Sequence, residues 1–201
     1  MAENHNGPSG YSKQPPSKTS ITQLRAAIGG NAYGHVLEIG SGTGANFPFY
    51  KNALRVDAIE PDEKRINRSR NQVNKAKAPI HLHIAGAERL PFNENVFDTV
   101  IATLVFCTIP EPQKALLEIQ RVAKPGARIF FLEHVRMPQP LIGKVQDLMT
   151  PLWKKAFGGC HLNRDTLNLI QNSELSITDI KTHYKGWVLE IDCINESLPS
   201  Q

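Results

Sequence analysis

The sequence predicts an α/β fold built on a doubly wound sheet of seven strands, with five parallel strands and a C-terminal antiparallel hairpin. Two observations support this prediction. Apolar runs alternate with helical patterns between residues 34 and 135, an order typical of parallel sheets with right-handed crossovers. Beyond that region, two strand-like runs are separated only by Lys185-Gly186, and a short glycine-containing connection indicates a hairpin.

The predicted strands follow directly from the apolar runs. The first run is short and bounded by glycine, as expected for a buried strand, and the fourth and fifth are almost continuously apolar, as expected for strands covered on both faces, whereas the second and third alternate more. In chain order the predicted strands cover residues 35–39, 54–60, 80–86, 97–106 and 128–135, with the hairpin at 176–184 and 187–196.

Helices are predicted between the strands, including one directly after the first strand. The clearest covers residues 112–124, where Ala115, Leu116 and Ile119 share one apolar face. We expect this helix to stop at Lys124-Pro125-Gly126, because glycine and proline disfavour its continuation.

The chain has 201 residues, a length that favours one domain. Residues 1–20 are rich in Gly, Pro, Ser and Asn and contain few apolar side chains. We therefore predict that residues 1–30 form a flexible arm with a short helix at 21–28, able to close over a site as a lid. Residues 31–201 are predicted to form the catalytic domain.

Composition narrows the function classes. With 40% hydrophobic and 21% charged residues, the chain resembles an ordinary globular protein. Its apolar runs are shorter than the ~20 residues that span a bilayer, and its start lacks a signal-peptide pattern, so a cytoplasmic location is expected. Three widely spaced cysteines without a CxxC pair predict neither a disulfide framework nor a metal site. A net charge of +4 without a recognition motif predicts no nucleic-acid partner.

The segment Glu38-Ile39-Gly40-Ser41-Gly42-Thr43-Gly44 is the most informative motif. It follows the first predicted strand, where glycines let the backbone turn tightly and approach a ligand. Glu60 comes 20 residues after Gly40, at the end of the second strand, where a carboxylate can accept both hydroxyl hydrogens of a ribose. Together these residues predict an adenosine-containing ligand.

The same loop also fits the dinucleotide pattern GxGxxG/A, so an NAD-dependent oxidoreductase must be weighed. The charge of Glu38 would repel a pyrophosphate but suits a ligand that carries an ammonium or sulfonium group. The chain also has no Tyr-x-x-x-Lys pair, and it ends too soon for a separate substrate domain. A non-catalytic module that binds an adenosyl ligand is a further alternative.

The ordered motifs EIGSGTG, AIEPD, GAERLPF, FDTVIATLVFCTI and RVAKPGARIFFLEHV resemble class I S-adenosylmethionine-dependent methyltransferases of the methyltransferase type 11 group. The resemblance covers about residues 34–135 and implies a Rossmann-like fold. The later segment GGCHLNRDT at 158–166 is similar to the methyltransferase-like 7 branch, which includes thiol methyltransferases.

The resemblance implies that S-adenosylmethionine is the cofactor and S-adenosylhomocysteine the product. It assigns the following cofactor contacts: Glu38, Gly40, Ser41, Gly42 and Gly44 near the methionine end, Glu60 at the ribose, Pro61, Ala87 and Glu88 at the adenine, and Thr103 and Leu104 beside the reacting sulfur. The chain departs from the family pattern at Gly86, where an aspartate is common. Adenine recognition is then expected from backbone groups or Glu88.

The implied reaction is an in-line transfer of the methyl group to a small-molecule acceptor, namely a thiol, a hydroxyl or a ring carbon. Positioning of the acceptor carries most of the rate, and a general base is needed only for a protonated acceptor. His134, at the end of the fifth strand, and His161, after an apolar insertion, are the candidate catalytic residues. The lysine-containing insertion at 137–157 leaves peripheral contact with a membrane surface open.

Overall fold

The computed structural model describes residues 19–137, 139–156 and 159–196. These residues form one sheet of seven strands: β1 (Tyr33–Ile39), β2 (Asn52–Ile59), β3 (Ile80–His83), β4 (Phe97–Thr103), β5 (Ala123–His134), β6 (Leu175–His183) and β7 (Val188–Asn195). The strand order is β3-β2-β1-β4-β5-β7-β6. Strands β1 to β5 are parallel, and β6 and β7 form the antiparallel hairpin at one edge. The predicted fold class is therefore confirmed.

Five α-helices flank the sheet: α1 (Ile21–Asn31), α2 (Glu63–Val73), α3 (Pro112–Val122), α4 (Pro140–Ala156) and α5 (Thr166–Gln171). Helix α1 begins with a capping box, in which the Ser20 hydroxyl accepts from the Gln23 backbone and the Gln23 side chain accepts from the Ser20 backbone. It ends at Asn31, three residues beyond the predicted helix. Residues 1–18 of the predicted arm lie outside the described part of the chain.

The sheet is buried on both faces. Side chains alternate along β5, so that Phe130 points to the α1 side and Phe131 to the α3 side. Leu24 of α1 packs in the same core as Phe130, whereas Ile119 of α3 and Ile170 of α5 pack in the core that contains Phe131. Burial on both faces explains the almost continuous apolar runs of the central strands.

The predicted α-helix directly after β1 is wrong. Residues 42–46 form turns, and only the 3₁₀ helix Phe47–Phe49 follows before β2 begins. Three glycines with positive φ in this loop disfavour helix formation. Phe47 and Tyr50 are fully buried and anchor the loop as a compact turn. Residues 84–96 also contain turns where a helix is predicted between β3 and β4.

The predicted end of the third helix at residues 124–126 is also wrong. Helix α3 ends at Val122, and Lys124-Pro125-Gly126 belong to β5. The Asn195 side chain donates hydrogen bonds to the backbone carbonyls of Gln120 and Ala123, which satisfies carbonyls at the helix terminus. A residue of the hairpin thus supplies the partner for these carbonyls, a long-range contact that local sequence could not indicate.

Helix α4 is fixed to its own domain through Gln146, whose side chain bonds the backbone of Met137, Val135 and Leu162. Its outer face exposes leucine side chains such as Leu148. Among the described residues, no helix is both long and apolar enough to traverse a bilayer.

Candidate active site

A cleft lies at the carboxyl ends of β1, β2 and β4, the position at which open α/β sheets bind ligands. It offers about 570 Å³ of space between protein atoms, part of which is open solvent. The cleft brings together the following predicted cofactor residues: Gly40, Glu60, Pro61, Ala87, Glu88 and Leu104.

The glycine loop approaches β4 closely at Gly40. This residue has a φ of +62°, and a Cβ atom there would overlap the Val105 side chain. Only glycine fits both the backbone conformation and the space. The next residue, Ser41, donates its backbone N–H to the Ile59 carbonyl at 2.9 Å, which holds the loop against the end of β2.

Glu60 joins the glycine loop to the end of β2. Its carboxylate accepts the backbone N–H of Gly42 at 3.0 Å through Oε2 and that of Asp62 at 3.1 Å through Oε1. The side chain is buried but borders the cleft. Because each carboxylate oxygen has two acceptor positions, both oxygens retain capacity for a ligand hydroxyl.

Glu38 does not line the cleft but lies beneath it in a buried polar network. Its carboxylate accepts hydrogen bonds from the Asn46 amide at 2.9 Å and from the Tyr50 hydroxyl at 2.8 Å. Burial raises the pKa of Glu38 to about 7, although these two hydrogen bonds and the charge of Arg25 oppose the shift. Asn46 also donates to Thr103 Oγ1 at 2.7 Å.

Helix α1 contributes a positive charge to this network. The Arg25 guanidinium donates to Asn46 Oδ1 at 2.8 Å and to Thr103 Oγ1 at 3.1 Å, which places it at the carboxyl end of β4. Sequence reasoning missed Arg25 and Asn46. No spacing rule connects these residues, because the fold brings them together from separate segments.

Five predicted cofactor residues do not line the cleft, namely Glu38, Ser41, Gly42, Gly44 and Thr103. Ser41 is nevertheless buried, and its hydroxyl has no hydrogen-bond partner among the described residues. An unsatisfied buried hydroxyl in this loop is free to bond a ligand.

At the opposite side of the cleft, Glu88 occupies space beside Gly86. Its Oε2 atom lies 2.9 Å from the position that a Cβ atom of residue 86 would take. The Glu88 carboxylate thus stands close to where the common family aspartate would begin. Its other oxygen accepts the Glu111 backbone N–H at 3.4 Å.

The turn after β4 connects the cleft to the neighbouring strand end. Leu104 borders the cleft in a left-handed conformation with a φ of +54°. Glu133 of β5, which sequence reasoning missed, accepts the backbone N–H groups of Val105 and Phe106 at 3.0 and 3.1 Å. Burial raises the pKa of Glu133 to about 7, although these two hydrogen bonds oppose the shift.

A cluster of two thiols and one imidazole lies across this turn. His134 Nε2 is 3.1 Å from Cys160 Sγ, and Cys107 Sγ completes a set of three atoms that all lie within 4.8 Å of one another. The hydrogen bond from Cys107, together with the His134 ring, lowers the pKa of Cys160. Burial disfavours protonation of His134, but its contact with Cys160 raises the pKa of the imidazole overall.

The second candidate histidine lies elsewhere. The His161 side chain lines a separate groove beside α4, together with Thr150 and Lys154. Burial and the nearby cations Arg164 and Lys154 lower the pKa of His161. Its backbone N–H donates to the Cys107 carbonyl at 2.8 Å, so its backbone supports the cluster while its side chain does not join it.

Comparison with known proteins agrees with this geometry. A family described as a methyltransferase domain matches residues 37–131. The chain is 33% identical over 171 residues to the thiol S-methyltransferase TMT1B of Rattus norvegicus, covering 83% of this chain and 70% of that protein. It is 30% identical over 172 residues to the human thiol S-methyltransferase TMT1A, with the same coverage of both chains.

Solved structures share the fold at lower identity. An S-adenosylmethionine-dependent methyltransferase from Mesorhizobium loti superposes with a TM-score of 0.68 at 13% identity, covering 87% of this chain and 98% of that one. The [4+2]-cyclase SpnF superposes with a TM-score of 0.69 at 17% identity, covering 87% and 79%. A cyclase on the same scaffold illustrates that this structural similarity shows the fold alone.

The chain belongs to the class I S-adenosylmethionine-dependent methyltransferases. This confirms the predicted function class, the transfer of a methyl group to a small-molecule acceptor. The relatives described above give no support to the nicotinamide-dependent or the non-catalytic alternative.

Proposed function

We propose that this chain binds S-adenosylmethionine in the cleft and transfers its methyl group to the sulfur of a small thiol. One observation carries the proposal. The short turn after β4 borders the cleft at Leu104 and contributes Cys107 to the thiol and imidazole cluster, with Cys107 Sγ 3.9 Å from the Leu104 carbonyl. An acceptor held beside this cluster lies next to the end of the cleft where we propose that the methyl group sits.

The cofactor is expected to lie along the cleft from the glycine loop to the loop after β3. Glu60 accepts the ribose hydroxyls, and Pro61 and Ala87 pack against the adenine. Glu88 stands at the adenine edge, in the region where family members often use an aspartate. Gly40 allows the backbone to pass close to the ligand, since no side chain intervenes.

The methionine end carries an ammonium and a carboxylate, and a guanidinium and a buried carboxyl group lie near the glycine loop. Arg25 holds a guanidinium at the end of β4, and Glu38 lies buried below the loop. Ser41 adds an unsatisfied hydroxyl. Gly42, Gly44 and Thr103 support this arrangement by shaping the loop and by fixing Arg25 and Asn46.

The choice of a thiol acceptor rests on the relatives and on the cluster. Thiolates, not thiols, are the reactive nucleophiles, and an ordinary thiol has a pKa near 8.5. The acceptor thiol therefore releases its proton to solvent, its sulfur forms a bond to the methyl carbon, and the bond from that carbon to the sulfonium sulfur breaks. Of the two candidate histidines, we propose that His134, and not His161, lies beside the acceptor thiol during the reaction, because it belongs to the cluster beside the turn.

A panel of acceptors tests this proposal. The purified chain is incubated with S-adenosylmethionine and a small alkyl thiol, a phenol or an amine of similar size, and both S-adenosylhomocysteine and the methylated product are quantified. We expect turnover with the thiol and little with the phenol or amine. Preferential methylation of the phenol or amine would contradict the thiol assignment. The Cys193→Ser variant is the control for loss of a cysteine outside the cluster, because Cys193 is buried in β7. We expect it to show the same acceptor preference as the wild type.

Four further expectations stay predictions. They are a catalytic role for His161, closure of the N-terminal arm as a lid, contact of α4 with a membrane surface, and a cytoplasmic location. The absence of a nucleic-acid partner is likewise a prediction.

A further inference from the structure

Three soft ligand atoms converge beside the proposed acceptor position. Cys107 comes from the turn after β4, His134 ends β5, and Cys160 lies in the loop between α4 and α5. Their two Sγ atoms and one ring nitrogen all lie within 4.8 Å of one another. Thiolate and imidazole groups bind zinc in preference to calcium or magnesium.

The surrounding structure holds the two cysteine-bearing segments together. The Arg164 guanidinium donates to the Phe106 carbonyl at 2.5 Å, and the His161 backbone N–H donates to the Cys107 carbonyl. Glu133 fixes the same turn from the side of β5 through two backbone N–H groups. These hydrogen bonds fix the backbone of the segments that carry Cys107 and Cys160, so that only side-chain movements are needed to form a site.

The spacing of the cluster fits a tetrahedral zinc site after small side-chain movements. With zinc–sulfur and zinc–nitrogen bonds of about 2.3 and 2.0–2.1 Å, neighbouring ligand atoms in a tetrahedron lie about 3.5–3.8 Å apart. His134 Nε2 and Cys160 Sγ are now 3.1 Å apart, and every pair lies within 4.8 Å. The required movements are about 1 Å or less, which side-chain rotation can supply.

The donor set is incomplete in an informative way. Among residues 19–137, 139–156 and 159–196, no fourth His, Cys, Asp or Glu atom joins the cluster. Structural zinc sites are closed by four protein ligands, whereas catalytic sites use three and leave the fourth position to water or substrate. Two cysteines and one histidine form a donor set of the catalytic kind.

We propose that Cys107, His134 and Cys160 bind a zinc ion whose fourth position is open to the acceptor thiol. Zinc binding requires both cysteines as thiolates and a neutral His134 imidazole, so the protons that these three groups hold are released to solvent. The metal site itself does not depend on the acceptor, but its use in the reaction rests on the proposed thiol methylation. The sequence analysis predicted no metal, because the three ligands are widely separated along the chain.

The proposed methyl transfer needs no reactant besides the acceptor thiol and S-adenosylmethionine. The acceptor thiol replaces water at the open position and releases its proton to solvent as it becomes a bound thiolate. A sulfur lone pair then forms the bond to the methyl carbon while the carbon–sulfonium bond breaks. S-adenosylhomocysteine leaves, and the neutral thioether product is a weaker ligand than the thiolate and dissociates.

Cobalt spectroscopy on the full chain tests the metal site without any turnover. The reduced protein is titrated with Zn²⁺ or Co²⁺, bound metal is measured by elemental analysis after dialysis, and the thiolate–cobalt absorption is recorded. We expect one ion per chain in the wild type and in Cys193→Ser. In Cys107→Ser, His134→Gln and Cys160→Ser, we expect metal affinity to fall at least about 100-fold.

Thermal unfolding checks that each variant remains folded, and the wild-type stoichiometry stands even if one variant does not fold. A reduced wild-type protein that binds no more metal than Cys160→Ser would overturn the proposal. If the metal is missing while thiol methylation persists, the metal site fails and the proposed function stands. If metal binds but no thiol is methylated, the proposed function fails instead. A change of the cobalt absorption on adding a small alkyl thiol is expected for an open fourth position, and an unchanged spectrum removes that part of the proposal.

Discussion

Removal of the Glu60 side chain perturbs the cofactor site at one defined point. The Glu60 carboxylate already accepts two backbone N–H groups, at 3.0 and 3.1 Å, one through each oxygen. Because each oxygen has a second acceptor position, the two ribose hydroxyls can both bond this carboxylate. The substitution Glu60→Ala removes both ligand hydrogen bonds and also releases the glycine loop at Gly42.

The expected loss of affinity follows from the charge of the acceptor. A hydrogen bond to a charged group contributes about 1.5–3 kcal/mol. Since about 1.4 kcal/mol corresponds to a tenfold change in Kd, the loss of one such bond weakens binding about tenfold and the loss of both about 100-fold or more. Glu60→Gln keeps one acceptor oxygen, so it is expected to lie between the wild type and Glu60→Ala.

Isothermal titration calorimetry with S-adenosylhomocysteine measures this effect, and thermal unfolding shows whether the variants remain folded. Glu63→Ala is the matched control, because it removes an exposed carboxylate three residues away at the start of α2. We expect the control to bind like the wild type. A folded Glu60→Ala variant with an unchanged Kd would refute the ribose assignment.

Two further predictions concern the buried carboxylates. Burial raises the pKa of Glu38 from 4.5 to about 7, so the neutral side chain contributes its full stabilisation below pH 4.5 and loses it as the pH rises through 7. Relative to Glu38→Gln, we expect the free energy of unfolding of the wild type, measured with urea, to fall by about 3 kcal/mol between these two pH values. A parallel pH dependence in both proteins would disprove this. Burial opposes ionisation of Asp57, yet hydrogen bonds with His35 and His83 lower its pKa, so its contribution is lost as the pH falls through that lowered pKa. Asp57→Asn is expected to reduce the free energy of unfolding at pH 7 by about 1–3 kcal/mol, because it weakens the hydrogen bonds of the buried carboxylate with His35, His83 and Arg55. An unchanged free energy of unfolding would contradict a structural role for this cluster.

Local patterns were sufficient to predict most of the sheet. Alternating and continuous apolar runs reflect whether one or both faces of a strand are buried, so all seven strands could be located. The helix expected after β1 could not be excluded in the same way. Its absence depends on the positive φ values of Gly40, Gly42 and Gly44 and on the burial of Phe47 and Tyr50, which are properties of the folded chain.

The site residues also fall into two groups, those that belong to one local sequence motif and those that only the fold brings together. Gly40 and Glu60 belong to one motif with a fixed spacing, and both border the cleft. Arg25 is 78 residues from its partner Thr103, and Cys107 and Cys160 are separated by two helices and a strand, α3, β5 and α4. The sequence indicates His134 as a candidate, but its contact with Cys160 could not be predicted, because it arises only when β5 and the loop after α4 pack together.

A crystal structure with S-adenosylhomocysteine bound tests the central claim most directly. The account predicts that the ribose hydroxyls lie within hydrogen-bond distance of the Glu60 carboxylate and that the ligand sulfur lies beside Leu104, facing the Cys107 turn. A ligand bound elsewhere, or one whose sulfur points away from β4, would contradict it.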